Sequence, residues 1–336
     1  MKLLVTGGLG YVGSHFCVAA LQNHYELVIV DNLVRHADEI HGEIERLGGK
    51  SCRLVRCDIN DLKKMPALFE EESPIDVVIH FAAKKNSLES IQNPIKYYLN
   101  NVCGSIQLLA MMEAFGVKKL VFSSTAAVYA EGSNKPIDET MPTHPITPYG
   151  KSKQQVEEIL IDYCQAHSEF SVASLRYFNA IGAHDSGRLG EQVANRKSGS
   201  IMANILLVAS GQKEYLSIYG HDYPNQDGTS VRDYVHVLDL VQGHLDCLKY
   251  IESHPGFTVF NLGRGKGCSI LELIKTFENE NKVNIPYQFE PRRPGDFSAV
   301  FADVSKAEKE IGWHTEYNLK QAVRHDWHRF LKASES

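Results

Sequence analysis

The sequence predicts an α/β fold in which a Rossmann-type, doubly wound parallel sheet is joined to a smaller mixed α/β domain. Short and almost wholly apolar runs such as DVVIHF recur through the first half of the chain, which is typical of parallel strands buried on both faces. Segments with helical periodicity lie between them, and a glycine-rich turn follows the first run. After Arg176 the alternation gives way to polar, glycine-rich stretches, so we expect a second domain there.

The individual elements follow from these patterns in chain order. Apolar runs predict strands at residues 2–6, 26–31, 54–57, 76–80, 118–123, 171–176, 216–219 and 258–261. Apolar residues three or four apart predict helices at 11–23, 61–72, 93–115, 148–167, 201–210 and 237–250. Residues 179–200 show no period and predict a loop region. We expect a dinucleotide-binding domain at 1–178 plus about 236–262, and a substrate-binding domain at about 179–235 plus 263–336.

Composition excludes several classes of protein. The chain has 336 residues, 43% of them apolar, and a net charge of −6 from 41 acidic and 35 basic residues. Such a chain has no general attraction for nucleic acid or for an anionic membrane, and no apolar run approaches the ~20 residues of a membrane span. The seven cysteines are scattered without a CxxC pair, which predicts reduced thiols in a cytoplasmic protein and no zinc site. The fifteen histidines do not recur at ligand spacing, so we expect no metal.

Three glycines predict a dinucleotide site. Gly7, Gly10 and Gly13 follow the first strand and open the first helix, so that the backbone can approach a pyrophosphate at the helix N-terminus. Asp31 ends the second strand about 20 residues further on, where a carboxylate accepts from ribose hydroxyls and repels a 2′-phosphate. This favours NAD over NADP. Asp58, which follows a later strand, is a candidate for the adenine edge or, equally, for a simple helix cap.

Tyr149 and Lys153 predict a proton-transfer site. Residues i and i+4 share one face of a helix, and Pro148 suits the start of that helix because its missing N–H costs nothing there. An ammonium group and a nicotinamide ring nearby would lower the phenol pKa from its usual ~10, giving a base for oxidation of a hydroxyl group. Ser123 and Thr125 leave the end of an apolar strand, where sheets of this class bind ligands.

These motifs resemble the extended short-chain dehydrogenase/reductase family, and within it the UDP-glucose 4-epimerases, over nearly the whole chain. The resemblance is carried by the segments TGGLGYVGSH, DNL, HFAAKK, YYLNNVCG, PYGKSK, RYFNAIGAH, YGHDYPNQDGTSVRDYVHVLDL and RRPGD. It implies NAD as the cofactor and a UDP-hexose as the substrate. It also implies reversible hydride transfer at carbon 4 through a 4-ketose, which interconverts UDP-galactose and UDP-glucose.

The resemblance also implies a role for each matching residue. Tyr149 would be the general base and acid, Lys153 would hold the nicotinamide ribose, and Thr125 would take the place of the catalytic Ser/Thr. The implied NAD site further comprises Gly7, Gly10, Tyr11, Val12, Gly13, Asp31, Asn32, Asp58, Ile59, Phe81, Ala82, Ala83, Lys85, Asn100, Ser123 and Phe178. The implied substrate site further comprises Asn179, Ser200, Ile201, Ser217, Ile218, Tyr219, Arg232, Arg293, Asp296 and Val300.

Two departures from the family pattern concern the substrate. Gly199 and Ser200 replace a pair of asparagines present in many relatives, which affects local contacts to the diphosphate. Val300 stands where some relatives have a bulky tyrosine beside the sugar. We therefore expect room for a 2-acetamido group, and with it activity on UDP-N-acetylglucosamine and UDP-N-acetylgalactosamine.

A homodimer is a further implication of the resemblance. Helix 93–115, with Tyr98, Val102, Ile106 and Leu109 at helical spacing, and helix 148–167 would face the partner. Burial in the core of one chain explains the same pattern.

Other functions share this fold. A nucleotide-sugar 4,6-dehydratase also uses the Tyr–Lys pair, but it needs acidic residues after the threonine, where this chain has Ala126 and Ala127. A uronate epimerase is another alternative of the same chemistry, and a decarboxylase would need carboxylate-binding residues that we do not find. A non-catalytic NAD-binding scaffold would typically have lost Tyr149 or Lys153, and both are present.

Overall fold

The structure is a computed structural model that describes residues 1–32, 37–129, 135–193, 200–293 and 296–335. Leu33 of the DNL motif and Gly199 lie outside the described residues, as do two residues of RRPGD. The chain divides into two compact units. The first comprises Met1–Val128, Thr143–Arg176 and Val241–Phe260, and the second comprises Tyr129–Pro142, Tyr177–Leu240 and Asn261–Ser336. The second unit thus includes residues 129–142, which the sequence assigned to the first domain.

The first unit is built on a seven-stranded sheet. Its strands are β1 (Lys2–Thr6), β2 (Glu26–Asp31), β3 (Arg53–Arg56), β4 (Val77–His80), β5 (Lys119–Thr125), β6 (Ser171–Tyr177) and β10 (Gly256–Leu262). They lie in the order β10-β6-β5-β4-β1-β2-β3. Each neighbouring pair from β5 across to β3 is parallel. The order reverses between β1 and β4, which confirms the doubly wound prediction. Ligands of such sheets bind at the carboxyl ends of the strands beside this reversal.

The helices that accompany this sheet largely match the predictions. They are α1 (Tyr11–Gln22), α2 (Ala37–Gly48), α3 (Lys64–Glu72), α4 (Ser87–Gln92), α5 (Pro94–Tyr97), α6 (Gly104–Ala114), α7 (Pro148–Ala166) and α9 (Val237–Tyr250). Helix α2 was not predicted, although Ile40, Ile44 and Leu47 recur there at helical spacing. Leu4, Val78 and Phe122 of three neighbouring strands share one buried apolar cluster with Leu108 of α6 and Leu160 of α7. This core fixes α7, which carries Tyr149.

The predicted helix 93–115 is interrupted, and this prediction was wrong in detail. Residues Tyr98–Cys103 form a π-helical turn between α5 and α6. Gly104 follows the turn, and a Cβ there would lie 2.5 Å from Cδ1 of Ile59, so α6 begins in close contact with the segment after β3. A π turn closes i→i+5 hydrogen bonds inside an otherwise α-helical segment. The spacing of apolar residues in the sequence predicts a helix here but does not show that one of its turns is wider.

The second unit contains two small sheets. Strand β9 (Val231–His236) pairs with β7 (Asn179–Ile181), β11 (Gly267–Ser269) and β13 (Ala299–Val300), and β8 (Leu216–Tyr219) pairs with β12 (Tyr287–Glu290). The helices are α8 (Ile201–Ala209), α10 (Ile270–Asn281), α11 (Ser305–Ile311) and α12 (Leu319–Glu335). Strand β7 lies where a loop was predicted, because three residues are too few to give a periodic signal. In the described parts of both units, no helix is long and apolar enough to cross a bilayer.

Candidate active site

The glycine-rich turn closes tightly between β1 and α1. Gly7 has φ +69°, and a Cβ there would lie 2.6 Å from the backbone nitrogen of Ala82. A Cβ on Gly13 would lie 2.4 Å from the carbonyl oxygen of Gly7. Gly10 precedes α1, and among the described residues no side chain caps this helix and no acid lies in its first turn. The N-terminal N–H groups of α1 therefore fit a pyrophosphate.

Two acids lie at the same edge of the sheet. Asp31 Oδ2 accepts from Leu9 N at 3.1 Å, which joins the end of β2 to the glycine-rich turn. Asp58 accepts from Asn32 Nδ2 at 3.0 Å and from Asn60 N at 2.9 Å. Burial raises the pKa of Asp58, but these hydrogen bonds outweigh it and the pKa is lowered. Asp61, rather than Asp58, accepts from the N–H group at the start of α3, so the helix-cap interpretation of Asp58 is wrong.

The start of α7 is fixed at the carboxyl end of β5. Thr147 caps the helix by accepting from Gly150 N at 3.2 Å. A Cβ on Gly150 would lie 2.4 Å from the carbonyl oxygen of Ala127, so α7 begins directly against the chain that leaves β5. Only glycine permits this approach, and it brings Tyr149 to the end of the strand.

Tyr149, Thr125 and Lys153 meet at this point. The Thr125 side chain lies close enough to the Tyr149 hydroxyl to lower the phenol pKa. Lys153 Nζ donates to the carbonyl oxygen of Ser123 at 2.6 Å and lies 4.6 Å from the centre of the Phe122 ring. Lys153 is buried and Thr125 is nearly so. The structure therefore brings together the base, the hydroxyl and the ammonium that the sequence singled out.

Burial dominates the proton affinities of this site. It lowers the pKa of Lys153 to about 7, with the charge of Glu157 opposing it. Tyr149 is half-buried as a residue. Burial around its hydroxyl raises its pKa, and this effect outweighs Thr125 and the charge of Lys85, which both lower the pKa. The sequence predicted that a lysine ammonium together with a bound nicotinamide ring lowers the phenol pKa. In the protein without the cofactor the phenol pKa is raised, because desolvation exceeds the favourable effects, and the ammonium that acts on the phenol is Lys85.

Asn101 is a supporting residue that the sequence did not reveal. The π turn places it inside the protein, where Nδ2 donates to Lys84 O at 3.1 Å and to Ser152 Oγ at 2.9 Å, and Oδ1 accepts from Lys84 N at 2.9 Å. Ser152 Oγ donates in turn to Tyr149 O at 2.7 Å. Asn101 thus ties the chain before Lys85 to the first turn of α7. The motif YYLNNVCG contains both Asn100 and Asn101. Only the π turn shows that Asn101 is the one whose side chain is buried.

Two further buried polar groups brace this region. His80 lies 2.6 Å from Thr6 Oγ1 through Nδ1 and 2.9 Å from Ser105 Oγ through Nε2. Burial lowers the pKa of His80 to about 3, so its ring is neutral. Glu157 receives Arg176 through two hydrogen bonds of 2.6 and 3.1 Å. The neutral His80 ring has hydrogen-bond partners, and the buried charge of Glu157 is paired with Arg176. These partners offset the cost of burying polar groups behind the candidate site.

The second unit contains a pocket of about 240 Å³ bounded by β7, β8, β9 and α8. Nine of the ten substrate residues implied for this unit line it. They are Asn179, Ser200, Ile201, Ser217, Ile218, Tyr219, Arg232, Arg293 and Asp296. The pocket is therefore assembled from segments far apart in the sequence.

Two guanidinium groups line this pocket, together with the Lys213 ammonium. Arg232 Nη1 donates to the carbonyl oxygens of Val231 and Phe297, and Nη2 lies 2.5 Å from Asp296 Oδ1. Arg293 Cζ lies 3.6 Å from the centre of the Tyr219 ring. Guanidinium groups held in this way are suited to bind a diphosphate, since each presents several N–H donors in a fixed plane.

Two implied residues differ from the assignments made from the sequence. Val300 is half-buried in β13, opposite Arg232 in the ladder with β9, and it does not line the 240 Å³ pocket. Phe178 was assigned to the NAD site, whose other residues lie in the first unit. It belongs to the second unit, where its N–H donates to Leu262 O at 3.1 Å.

Comparison with known proteins decides the family. Residues 4–325 match the family model described as GDP-mannose 4,6 dehydratase. The chain is 44% identical to the UDP-glucose 4-epimerase of Bacillus subtilis (strain 168), over 97% of this chain and 96% of that protein. The chain belongs to the UDP-glucose 4-epimerase family. The resemblance stated from the sequence motifs is confirmed.

Solved structures of UDP-glucose 4-epimerases confirm the fold class. The enzyme from Stenotrophomonas maltophila, with bound NAD and formylated UDP-arabinopyranose, matches with a TM-score of 0.96 at 40% identity, over 100% of this chain and 99% of that one. The UDP-Glc/GlcNAc 4-epimerase of Campylobacter jejuni matches with a TM-score of 0.86 at 34% identity, over 98% and 99%. Both matches span the residues of the two compact units.

Proposed function

We propose that this chain is an NAD-dependent epimerase that interconverts UDP-galactose and UDP-glucose at carbon 4. The observation that carries the proposal is the cluster of Tyr149, Thr125 and Lys153 at the carboxyl end of β5, beside a turn that fits a pyrophosphate. Relatives over nearly the full length of the chain are named for this activity. The glycine-rich turn and Asp31 would hold NAD, which when bound would supply reversible hydride transfer at carbon 4.

The residues of the first unit supply the proton chemistry. Tyr149 Oη takes the proton of the 4-hydroxyl as carbon 4 is oxidised, and it gives the proton back when the 4-ketose is reduced. The Thr125 hydroxyl binds the same oxygen and stabilises the phenolate, a role supported by its lowering effect on the Tyr149 pKa. The positive charge of Lys85 also favours the phenolate, and Asp31 provides the carboxylate for the adenosine ribose. These roles support NAD rather than NADP, because the acid repels a 2′-phosphate.

The residues of the second unit hold the nucleotide. Arg232 and Arg293 bind the diphosphate, and the Tyr219 ring offers a stacking surface within the same pocket. Turnover requires the nucleotide to stay bound while the 4-ketose reorients. The enzyme must therefore bind UDP strongly and the hexose weakly. Binding energy from the unreacting nucleotide thus serves the reacting carbon.

We extend the proposal to UDP-N-acetylhexosamines. Val300 is smaller than the tyrosine of some relatives, and its neighbour in the β-ladder is the proposed diphosphate ligand Arg232. A neighbour of the same fold is named as a UDP-Glc/GlcNAc 4-epimerase. The 2-acetamido substrates differ from the hexoses only at carbon 2, so the same reaction at carbon 4 serves both.

A dehydratase activity is disfavoured even though the matching family model is named for one. Elimination of water needs an acid near the departing hydroxyl, and Thr125 is followed by Ala126 and Ala127 in the turn after β5. Neither alanine can donate a proton. Relatives that match over nearly the full length of the chain are named UDP-glucose 4-epimerases.

We also propose a homodimer that forms through the helices beside the π turn. Ile95, Leu99 and Ile106 are 66%, 58% and 46% exposed, and Ile161 of the neighbouring α7 is 36% exposed. An apolar face of this kind is typical of a protein–protein contact. Leu109, which the sequence placed on this face, is instead buried in the core.

A cytoplasmic location is part of the proposal. All seven cysteines are free thiols, which suits a reducing compartment.

One experiment tests the central proposal. The purified protein is supplied with UDP-galactose, UDP-glucose, UDP-N-acetylglucosamine and UDP-N-acetylgalactosamine, and the denatured protein is assayed for released NAD. We expect the hexose pair to interconvert and NAD to be present. A protein that binds no nicotinamide cofactor and converts none of these sugars is not an epimerase.

A further inference from the structure

Three metal-ligating side chains of three different types meet at one end of α2. They are His41, Glu45 and Cys52. His41 Nε2 lies 3.6 Å from Cys52 Sγ and 3.7 Å from Glu45 Oε1, and all three ligand atoms lie within 4.8 Å of one another. Among the described residues, no other histidine, cysteine and carboxylate side chains gather in this way. None of the three belongs to the proposed NAD or UDP-sugar site.

The local chain holds these side chains together without a ligand. His41 and Glu45 are separated by four residues in α2 and so share one face. Gly49 then turns the chain with φ +72°. Cys52 N donates to Glu45 Oε1 at 2.9 Å, and the Cys52 carbonyl oxygen lies 3.1 Å from His41 Nε2. The backbone of Cys52 is therefore fastened over the face that carries the other two residues.

The distances match those of a tetrahedral zinc ion. Zinc lies about 2.3 Å from a thiolate sulfur and about 2.0–2.1 Å from an imidazole nitrogen or a carboxylate oxygen. At tetrahedral angles these lengths place nitrogen and sulfur about 3.5 Å apart, and nitrogen and oxygen about 3.4 Å apart. The observed separations from His41 Nε2 are 3.6 and 3.7 Å, within a few tenths of an ångström of these values. Coordination would also require Nε2 to give up its contact with the Cys52 carbonyl oxygen.

We propose that His41, Glu45 and Cys52 form a zinc-binding site whose fourth ligand is water. One nitrogen, one oxygen and one sulfur suit Zn²⁺, whereas Mg²⁺ and Ca²⁺ prefer oxygen ligands alone. On binding, the Cys52 thiol releases its proton to solvent, and the imidazole proton resides on Nδ1 so that Nε2 can coordinate. His41 and Glu45 side chains are 22% and 33% exposed, so an ion can reach them from solvent.

An ion at this position would fasten the end of α2 to the chain that enters β3. Helix α2 packs closely on α1 there, since a Cβ on Gly48 would lie 2.6 Å from Cδ1 of Leu21. In the sheet, β2 and β3 beside this site are separated from β5 beside Tyr149 by β1 and β4. The role of the ion is therefore structural. An ion that binds the folded protein and not the unfolded chain raises the free energy of unfolding. In excess ion the increase grows with the logarithm of the ion concentration.

The test is a Co²⁺ titration of the untagged, NAD-loaded protein after dialysis against chelator. We expect a thiolate-to-cobalt absorption band that saturates at one equivalent and is abolished by excess Zn²⁺. Cys52→Ser removes the band, and Glu45→Gln weakens binding while leaving the helix intact. Cys103→Ser, which alters another partly exposed thiol, is the matched control and keeps the band.

A second measurement does not depend on the spectroscopy. Zn²⁺ is expected to raise the thermal unfolding midpoint of the wild-type protein and of Cys103→Ser, but not that of Cys52→Ser. If wild-type protein gives no thiolate band and no thermal shift, the three residues form only a hydrogen-bonded cluster and the proposal is overturned. The same conclusion follows if Cys52→Ser binds Co²⁺ as well as the wild type does.

Discussion

Lys153 Nζ donates to the carbonyl oxygen of Ser123 at 2.6 Å, so the ammonium group fastens α7 to the end of β5. Because the acceptor is a main-chain oxygen, the contact does not depend on the side chain at position 123. Tyr149, one turn earlier in α7, is held relative to Thr125 at the end of the same strand. The proton-transfer group and its hydroxyl partner are thus positioned by one helix and one strand that are directly bonded.

Tyr149→Phe is expected to lower kcat for UDP-galactose by about 10²–10⁴-fold, because the general base and acid is lost. NAD content after denaturation should match the wild type, since the phosphate-binding turn is untouched. Tyr163→Phe, on the same helix, is the control and should keep full activity. Unchanged turnover in Tyr149→Phe would remove this phenol from the mechanism.

Lys85→Met is expected to shift the rise of kcat with pH to higher pH. The positive charge of Lys85 lowers the pKa of Tyr149, so its removal raises that pKa and the phenolate forms only in more alkaline solution. Activity at neutral pH therefore falls and is regained as the pH is increased. Lys84→Met, which alters the adjacent lysine, should leave the profile in place. A uniform loss at every pH would show that Lys85 acts only through binding.

Arg293→Ala is expected to raise KM for UDP-glucose, and Kd for UDP, by about 10–100-fold, the range for a lost charge-assisted hydrogen bond. The control is Arg292→Ala. Arg292 pairs with exposed Asp222 and stacks on Tyr223 at 4.1 Å, but it does not line the pocket. Calorimetry with UDP checks both variants. Equal losses in the two would indicate a general charge effect in place of a specific contact.

Val300→Tyr is expected to lower kcat/KM for UDP-N-acetylglucosamine at least about tenfold more than for UDP-glucose, because the added ring occupies the space of the acetamido group. Parallel assays of both substrates give the ratio. Val300→Ile, a smaller change, should have a smaller effect. A wild-type preference above ~1000 for UDP-glucose, or about 4 kcal/mol, would contradict the broader specificity.

Leu99→Glu combined with Ile106→Glu is expected to convert a dimer into a monomer of 37.6 kDa, because two charges are placed on the proposed apolar face. Light scattering after gel filtration measures the mass. Leu62→Glu alters a side chain that is 72% exposed elsewhere and should leave the dimer intact. A wild-type protein that is already monomeric would rule out this assembly.

The sheet and the placement of Tyr149 and Lys153 on one helix face were predictable because their signals are local. Apolar runs fix strands, a glycine triplet marks a turn, and four-residue spacing places Tyr149 and Lys153 on one face. The second-unit pocket was identified only through family resemblance, since Arg232 and Arg293 by themselves read as solvated surface charge.

The remaining features depend on geometry that no local pattern encodes. The action of Lys85 on Tyr149 depends on a loop held by Asn101, and Asn101 is directed by the π turn. The His41, Glu45 and Cys52 group depends on how the chain returns after Gly49. The sequence analysis predicted no metal site and did not single out these residues, because only the fold brings Cys52 to His41 and Glu45.

The π turn at Tyr98–Cys103 also constrains how related chains can change. Each residue of an α-helix rotates the chain by about 100°. Deleting a single position here would restore a regular helix, yet it would swing Asn101 away from Ser152 or rotate the whole of α6 against the sheet. Homologues can therefore exchange residue types along this segment more readily than they can alter its length.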